Sequence, residues 1–76
     1  AATRVILSDL ESTNFEYKGI NEALEIEDAK VLIFGKPQAR IGRRMGVVLA
    51  GGGNTKIARE RADESASRIR LSSVQT

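Results

Sequence analysis

Two apolar runs on either side of a basic loop dominate the sequence: Val31-Leu32-Ile33-Phe34-Gly35-Lys36-Pro37-Gln38-Ala39-Arg40-Ile41-Gly42-Arg43-Arg44-Met45-Gly46-Val47-Val48-Leu49-Ala50. Residues 29–35 are almost continuously apolar, which predicts a strand buried on both faces. This strand is expected to end at Pro37, because proline cannot donate a ladder hydrogen bond. The extended pattern resumes at Met45, so we expect the two strands to form a hairpin with the basic loop at its tip.

Outside this hairpin the patterns predict two further strands and two helices. The strands are expected at residues 3–8 and 68–71, a short helix near Ile20, and an amphipathic helix over residues 55–67 with Asn54 as its N-cap. Residues 9–18 are polar and rich in turn formers, so they are interpreted as a loop. The predicted order is β-α-β-β-α-β, which is a small β-rich α+β domain. Phe34 is expected in its core.

The composition restricts the chemistry available to the chain. It has 76 residues with no cysteine and no histidine, which suffices for one domain and excludes disulfides, thiolate metal sites and imidazole catalysis. Neither a nucleophile–base pair nor a metal-ligand pattern is visible, so this chain alone is expected to catalyse nothing. No apolar run reaches the roughly 20 residues of a membrane span, and no signal-peptide pattern begins the chain. A cytoplasmic location without membrane contact is expected.

The formal net charge of +2 conceals a polarised distribution. Residues 1–30 carry seven acids and three bases, whereas residues 31–61 carry seven bases and one acid, Glu60. Such asymmetry favours an anionic partner for the middle of the chain. The alternative is a basic surface that contacts the acidic surface of a neighbouring domain.

The basic loop is the segment that best fits anion chemistry. In a hairpin, Lys36 leaves one strand where Arg43 and Arg44 enter the other, and strands lie about 4.8 Å apart, so the three cations could surround one tetrahedral anion. Consecutive residues of a regular strand point to opposite faces, however. The chain must therefore be irregular at Gly42, or one arginine must brace the loop while the other binds. A solvated basic hairpin without a ligand is the alternative.

Two further motifs are weaker. The run Gly51-Gly52-Gly53-Asn54-Thr55-Lys56 lacks the spacing of a phosphate-binding loop and is interpreted as a flexible entry to the following helix. The acidic residues between the first helix and the hairpin could bind a hard cation, but their spacing favours a solvated acidic surface. These residues are Glu22, Glu25, Glu27 and Asp28.

The pattern Val31-Leu32-Ile33-Phe34-Gly35-Lys36-Pro37, followed after five residues by Arg43-Arg44-Met45-Gly46-Val47-Val48-Leu49-Ala50, resembles the C-terminal domain of formate-dependent phosphoribosylglycinamide formyltransferase, an ATP-grasp enzyme of purine biosynthesis. The resemblance covers nearly the whole chain. It implies a C-terminal domain of the rudimentary hybrid-motif type over residues 1–76, with the N-terminal and central ATP-grasp domains outside this chain. It also implies that ATP and Mg²⁺ bind in those other domains, that this chain binds no cofactor, and that Lys36, Arg43 and Arg44 hold the phosphate of glycinamide ribonucleotide.

Alternatives to this resemblance remain open at the level of sequence. The ATP-dependent carboxylase subunit that acts on aminoimidazole ribonucleotide has a similar hairpin, although Pro37 and Arg44 favour the formyltransferase. A stand-alone interaction module is a second alternative. Nonspecific RNA binding is a third, and the scarcity of aromatic residues argues against it. The expected partners are the ribonucleotide and the ATP-grasp domain, while the oligomeric state, a homo-oligomer included, stays open.

Overall fold

The computed structural model describes residues 1–74, which form five strands and two helices. In chain order they are β1 (Ala2–Leu7), β2 (Phe15–Lys18), α1 (Ile20–Leu24), β3 (Ala29–Ile33), β4 (Arg44–Ala50), α2 (Thr55–Ser67) and β5 (Arg70–Ser73). The predicted α+β class is confirmed, with one more strand than expected. Within residues 1–74, no helix combines the length and the apolar character needed to cross a membrane.

The central feature is a three-stranded antiparallel sheet in the order β1-β4-β3. Val47 in the middle strand lies opposite Val5 on one side and Leu32 on the other. The predicted hairpin is therefore confirmed, because β3 and β4 pair directly and in register from Ala29 to Ile33.

Helix α2 covers one face of this sheet. Ile6 and Val48 are 5% and 0% exposed, and the helix presents Ala58 and Ala62, which are 2% and 1% exposed. The predicted N-cap is confirmed, since the Asn54 side chain accepts a hydrogen bond from the Ile57 N–H at 2.9 Å. The hydrophobic core of the domain is small and consists of Ile6, Ala23, Ala39, Met45, Val48, Ile69 and Leu71.

The prediction that the first strand of the hairpin is buried on both faces is wrong. Leu32 is 55% exposed, and Phe34, which was expected in the core, is 47% exposed. β3 is an edge strand of a sheet that α2 covers on one face only. An unbroken apolar run is typical of a strand that is covered on both faces, but here α2 covers only one face of the sheet.

The prediction of a loop over residues 9–18 is also wrong at its end, where β2 pairs with β5 in a second, two-stranded sheet. Phe15 packs edge-on against Tyr17, with 5.8 Å between the ring centroids. The last strand begins at Arg70 rather than at residue 68, because α2 continues to Ser67. A four-residue strand carries little pattern of its own, and its partner lies more than fifty residues further along the chain.

Candidate anion-binding site

The basic loop leaves the sheet at the end of β3 and returns at the start of β4. The Phe34 N–H still donates to the Met45 carbonyl at 3.0 Å, which places the ends of the loop side by side. Gly35 and Gly42 then take φ values of +69° and +81°, a region that favours glycine. The two glycines therefore turn the chain out of the sheet and back into it.

Backbone hydrogen bonds hold the loop against the segment that follows β1. Ala39 and Ser12 exchange two hydrogen bonds, of 2.8 and 3.0 Å. The Gly42 N–H donates to the Ser8 carbonyl at 2.8 Å, and the Ser8 N–H donates to the Arg43 carbonyl at 2.9 Å. Ala39 is 0% exposed. The loop is thus fixed at its middle as well as at both ends, and nothing in the sequence signalled this contact.

A β-bulge follows the two consecutive arginines in the chain. Ile6 lies opposite Gly46, but the next residue, Leu7, lies opposite Arg44, so Met45 is the extra residue of β4. A bulge places two consecutive side chains on the same side of the sheet, which fits the complete burial of Met45 beside Ile6. Arg44 then shares the opposite face with Leu7. Simple alternation does not hold at Met45. The irregularity expected at Gly42 is a separate feature, the positive φ of +81° at that residue.

The cations of the loop have different surroundings. Arg43 is half-buried, and its Nη1 donates to the Gln38 carbonyl at 3.0 Å. This bond braces the loop and leaves the other N–H groups of the guanidinium available. Lys36 is half-buried and Arg44 is exposed. Arg40, to which the sequence assigned no contact, donates from Nε to Gln38 Oε1 at 3.2 Å.

None of these four cations forms an ion pair with a carboxylate of residues 1–74. Several other cations of the chain do. Arg4 pairs with Asp63, and Arg68 reaches Glu64 at 3.0 Å. The positive charge at the hairpin tip is therefore uncompensated within the part of the chain that the structure describes, as an anion site requires.

Three of the four acidic residues that the sequence left as a cation-site alternative, Glu25, Glu27 and Asp28, form intramolecular ion pairs. Arg61 contacts Glu27 at 3.0 Å and Asp28 at 3.2 Å, and its Nη1 also donates to the Gly51 carbonyl at 3.0 Å. Arg61 thereby joins α2 to both ends of the hairpin. No cluster of three or more carboxylates suited to a metal ion occurs among the described residues.

The glycine run packs as a helix entry. A Cβ at Gly52 would lie 2.9 Å from the Ala58 nitrogen and 2.8 Å from a methyl carbon of Ile57, so the backbone here approaches α2 closely. This close approach explains why a glycine stands before the helix. It supports the interpretation as a helix entry over that as a phosphate loop.

These elements define a class of small α+β domain, built on a three-stranded antiparallel sheet that one helix covers, and the same fold occurs within a larger solved structure. N5-carboxyaminoimidazole ribonucleotide synthetase from Thermotoga maritima contains the same fold, with a TM-score of 0.85 over 95% of this chain and 20% of that chain. The two sequences are 23% identical, so this likeness concerns the fold alone.

The sequence comparison narrows the class to one family. The family described as "PurT, C-terminal" matches residues 1–69, and the chain belongs to that family. The family resemblance inferred from the hairpin is thus confirmed.

Curated relatives include formate-dependent phosphoribosylglycinamide formyltransferases from Prochlorococcus marinus and Synechococcus sp.. The enzyme of Prochlorococcus marinus strain MIT 9515 is 61% identical over 71 residues, which are 93% of this chain and 18% of that protein. The enzyme of Synechococcus sp. strain WH7803 is 48% identical over 71 residues, again 93% of this chain and 18% of the relative. The chain therefore spans about a fifth of the length of these relatives.

Proposed function

We propose that this chain is the substrate-phosphate module of a formate-dependent phosphoribosylglycinamide formyltransferase. The observation that carries the proposal is the anchored loop whose cations lack carboxylate partners within residues 1–74. In this proposal Lys36, Arg43 and Arg44 bind the phosphate of glycinamide ribonucleotide. Membership of the PurT C-terminal family supports the choice of ligand.

The three side chains suit a phosphate monoester in complementary ways. Such an ester carries about −1.5 to −2 charges at pH 7 and three strong acceptor oxygens. Exposed Arg44 offers a planar fork for two parallel hydrogen bonds. Arg43 is held by the Gln38 carbonyl and adds fixed donors, while Lys36 contributes a point charge. The binding energy of the phosphate would then orient the rest of the substrate.

The chemistry itself would take place outside this chain. In the proposed reaction ATP transfers its γ-phosphoryl group to formate and yields ADP and formyl phosphate. The amine of the ribonucleotide then attacks the formyl carbon and expels inorganic phosphate. ATP and Mg²⁺ would bind in the ATP-grasp portion of the enzyme. The described domain would contribute binding and orientation only.

The test uses a chimera in which the 71 matched residues of this chain replace the corresponding segment of the Prochlorococcus marinus MIT 9515 enzyme. Arg44→Ala should raise the KM for glycinamide ribonucleotide roughly 10- to 150-fold, since a hydrogen bond to a charged group contributes about 1.5–3 kcal/mol. The kcat should change little, because the contact is present in the ground state and in the transition state. Steady-state kinetics with each substrate varied in turn measures both constants.

Arg59→Ala is the matched control. Arg59 is exposed on α2 and, like Arg44, forms no ion pair among residues 1–74. Its removal should leave every KM unchanged, as should Arg44→Ala for the KM of ATP and of formate. An unchanged ribonucleotide KM in Arg44→Ala would contradict the phosphate role.

A second candidate follows from the structural neighbour, which is a synthetase named for another ribonucleotide. The two substrates share a ribose phosphate, so the same three cations would serve either one. Grafting the domain into the Thermotoga maritima synthetase as well, and comparing the activity that each chimera retains with its own ribonucleotide, distinguishes the two. The 61% identity to formyltransferases predicts that only the formyltransferase chimera is active.

A further inference from the structure

The sheet has a second face that α2 does not cover. The register places Val5, Val47 and Leu32 in one row across the three strands, with Leu49 in the next row. Because side chains alternate along a strand, these residues lie opposite to the face formed by Ile6 and Val48. Leu7 continues the row of β1 past the bulge. We call Val5, Leu7, Leu32, Val47 and Leu49 the open face.

The open face is an exposed apolar surface. Val5 is 42% exposed, Leu7 55% and Leu32 55%, and even Val47 and Leu49 of the central strand are only half-buried. Contiguous apolar patches of this kind usually mark a surface that a partner covers. Burying such side chains is worth about 25 cal/mol per Å² of apolar area, so contact with a complementary surface would be favourable.

The charges around the open face indicate which kind of partner surface would be complementary to it. Arg44 shares this face with Leu7, and Lys30 stands opposite Leu49 at the other end. Thr3 is the remaining polar member, so the three strands place no carboxylate on this face. A second copy docked face to face would bring four cations together without a counter-charge. A surface with an apolar centre and carboxylates at its rim fits better.

The length of the curated relatives points to where that surface lies. About four-fifths of each curated relative lies outside the segment that this chain matches. The matched family is named as a C-terminal domain, so in those relatives most of the polypeptide precedes the matched segment.

We propose that the open face docks onto the ATP-grasp portion of the same polypeptide, and that Arg44 lies at the edge of this contact. The phosphate-binding role of Arg44 rests on the proposed function, whereas its place beside the open face follows from the strand register. The phosphate would then be bound at the boundary between two domains. Docking would set the distance between the phosphate and the reacting amine.

The test is thiol accessibility in the chimera, using the fact that this chain contains no cysteine of its own. The variants are L32C, on the open face, and L24C, whose leucine is 50% exposed on α1. Each introduced thiol is labelled with a maleimide, in native buffer and in urea, and is quantified on its own peptide by mass spectrometry. We expect L32C to react at least about tenfold more slowly in native buffer than in urea, since a docked site reacts only through local opening. L24C should react at comparable rates in the two conditions.

Equal native-to-urea ratios for L32C and L24C would overturn the proposal. Protection of L32C that disappears on dilution would identify a second copy as the occupant and would also overturn it. V5C, on the same face, replaces L32C if that variant fails to fold and should show the same protection. Labelling reports docking and the KM of Arg44→Ala reports phosphate binding, so either proposal can fail alone.

Discussion

Arg43 and Arg44 are adjacent in the chain but differ in role at the scale of the residue. Arg43 is half-buried and bonded to the Gln38 carbonyl, whereas Arg44 is exposed beside the bulge. We therefore expect the two arginines to act differently on a bound phosphate. Arg43 would position the loop as well as bind, and Arg44 would act through its free guanidinium.

Tyr17 is the other residue whose surroundings have a measurable consequence. Its hydroxyl is buried and has no hydrogen-bond partner among the described residues. Burial raises the pKa of Tyr17 above its ordinary value of 10.0, because the phenolate would lose hydration. An unpaired buried hydroxyl costs about 1–3 kcal/mol, part of which is recovered when it is removed.

The substitution Tyr17→Phe should therefore leave stability at pH 7 unchanged or raise it by up to about 1 kcal/mol. Above pH 10 the unfolded chain ionises first, so the parent loses stability as the pH rises toward the folded-state pKa. Tyr17→Phe should lack this alkaline loss. Urea unfolding at pH 7 and at pH 10.5 measures both effects. A steeper alkaline loss in the variant than in the parent would refute the account.

At the scale of the element, a cap defines the start of α2 and a bulge interrupts β4. α2 begins at a well-formed cap, with the Asn54 side chain accepting from the Ile57 N–H. Sequence alone located this start, because Asn is a preferred N-cap residue. The bulge in β4 had no such signal, since it depends on how β1 pairs with that strand.

Asn54→Ala should destabilise the domain by about 1 kcal/mol through loss of this cap. In a domain of this size, that loss corresponds to a fall in Tm of roughly 4–8 °C. The matched control is Asn21→Ala, because Asn21 is exposed on α1 and makes no side-chain hydrogen bond among the described residues. Thermal unfolding followed by circular dichroism compares the two variants. Equal Tm values for both would show that the cap contributes nothing.

At the scale of the whole molecule, the charged surface has two parts, one with ion-paired acidic residues and one formed by the basic loop. Acidic residues are paired with Arg4, Arg61 and Arg68, while the cations of the basic loop form no ion pair within residues 1–74. The field at the hairpin tip is therefore positive although the chain carries a net charge of only +2. Salt should screen such an exposed site strongly.

In the chimera, raising NaCl from about 50 to about 300 mM should increase the KM for glycinamide ribonucleotide several-fold, because the Debye length falls from above 10 Å to below 8 Å. The same change should affect Arg44→Ala less, since one of the attracting charges is absent. Plots of log KM against log salt concentration for the two proteins measure the difference. Parallel lines would mean that Arg44 does not face the phosphate.

The amino-acid order was enough to predict the α+β class, the hairpin around the basic loop, the long helix with its cap, and the family. Each of these depends on short-range periodicity, on turn residues or on a motif confined to adjacent strands. Tertiary structure alone determined the β2–β5 pairing, the bulge at Met45 and the anchoring of the loop through Ser8 and Ser12. These features depend on contacts between distant segments, for which no local pattern exists. How far β3 is buried was also determined by the tertiary structure alone, because a strand is covered only where the fold packs another layer against it.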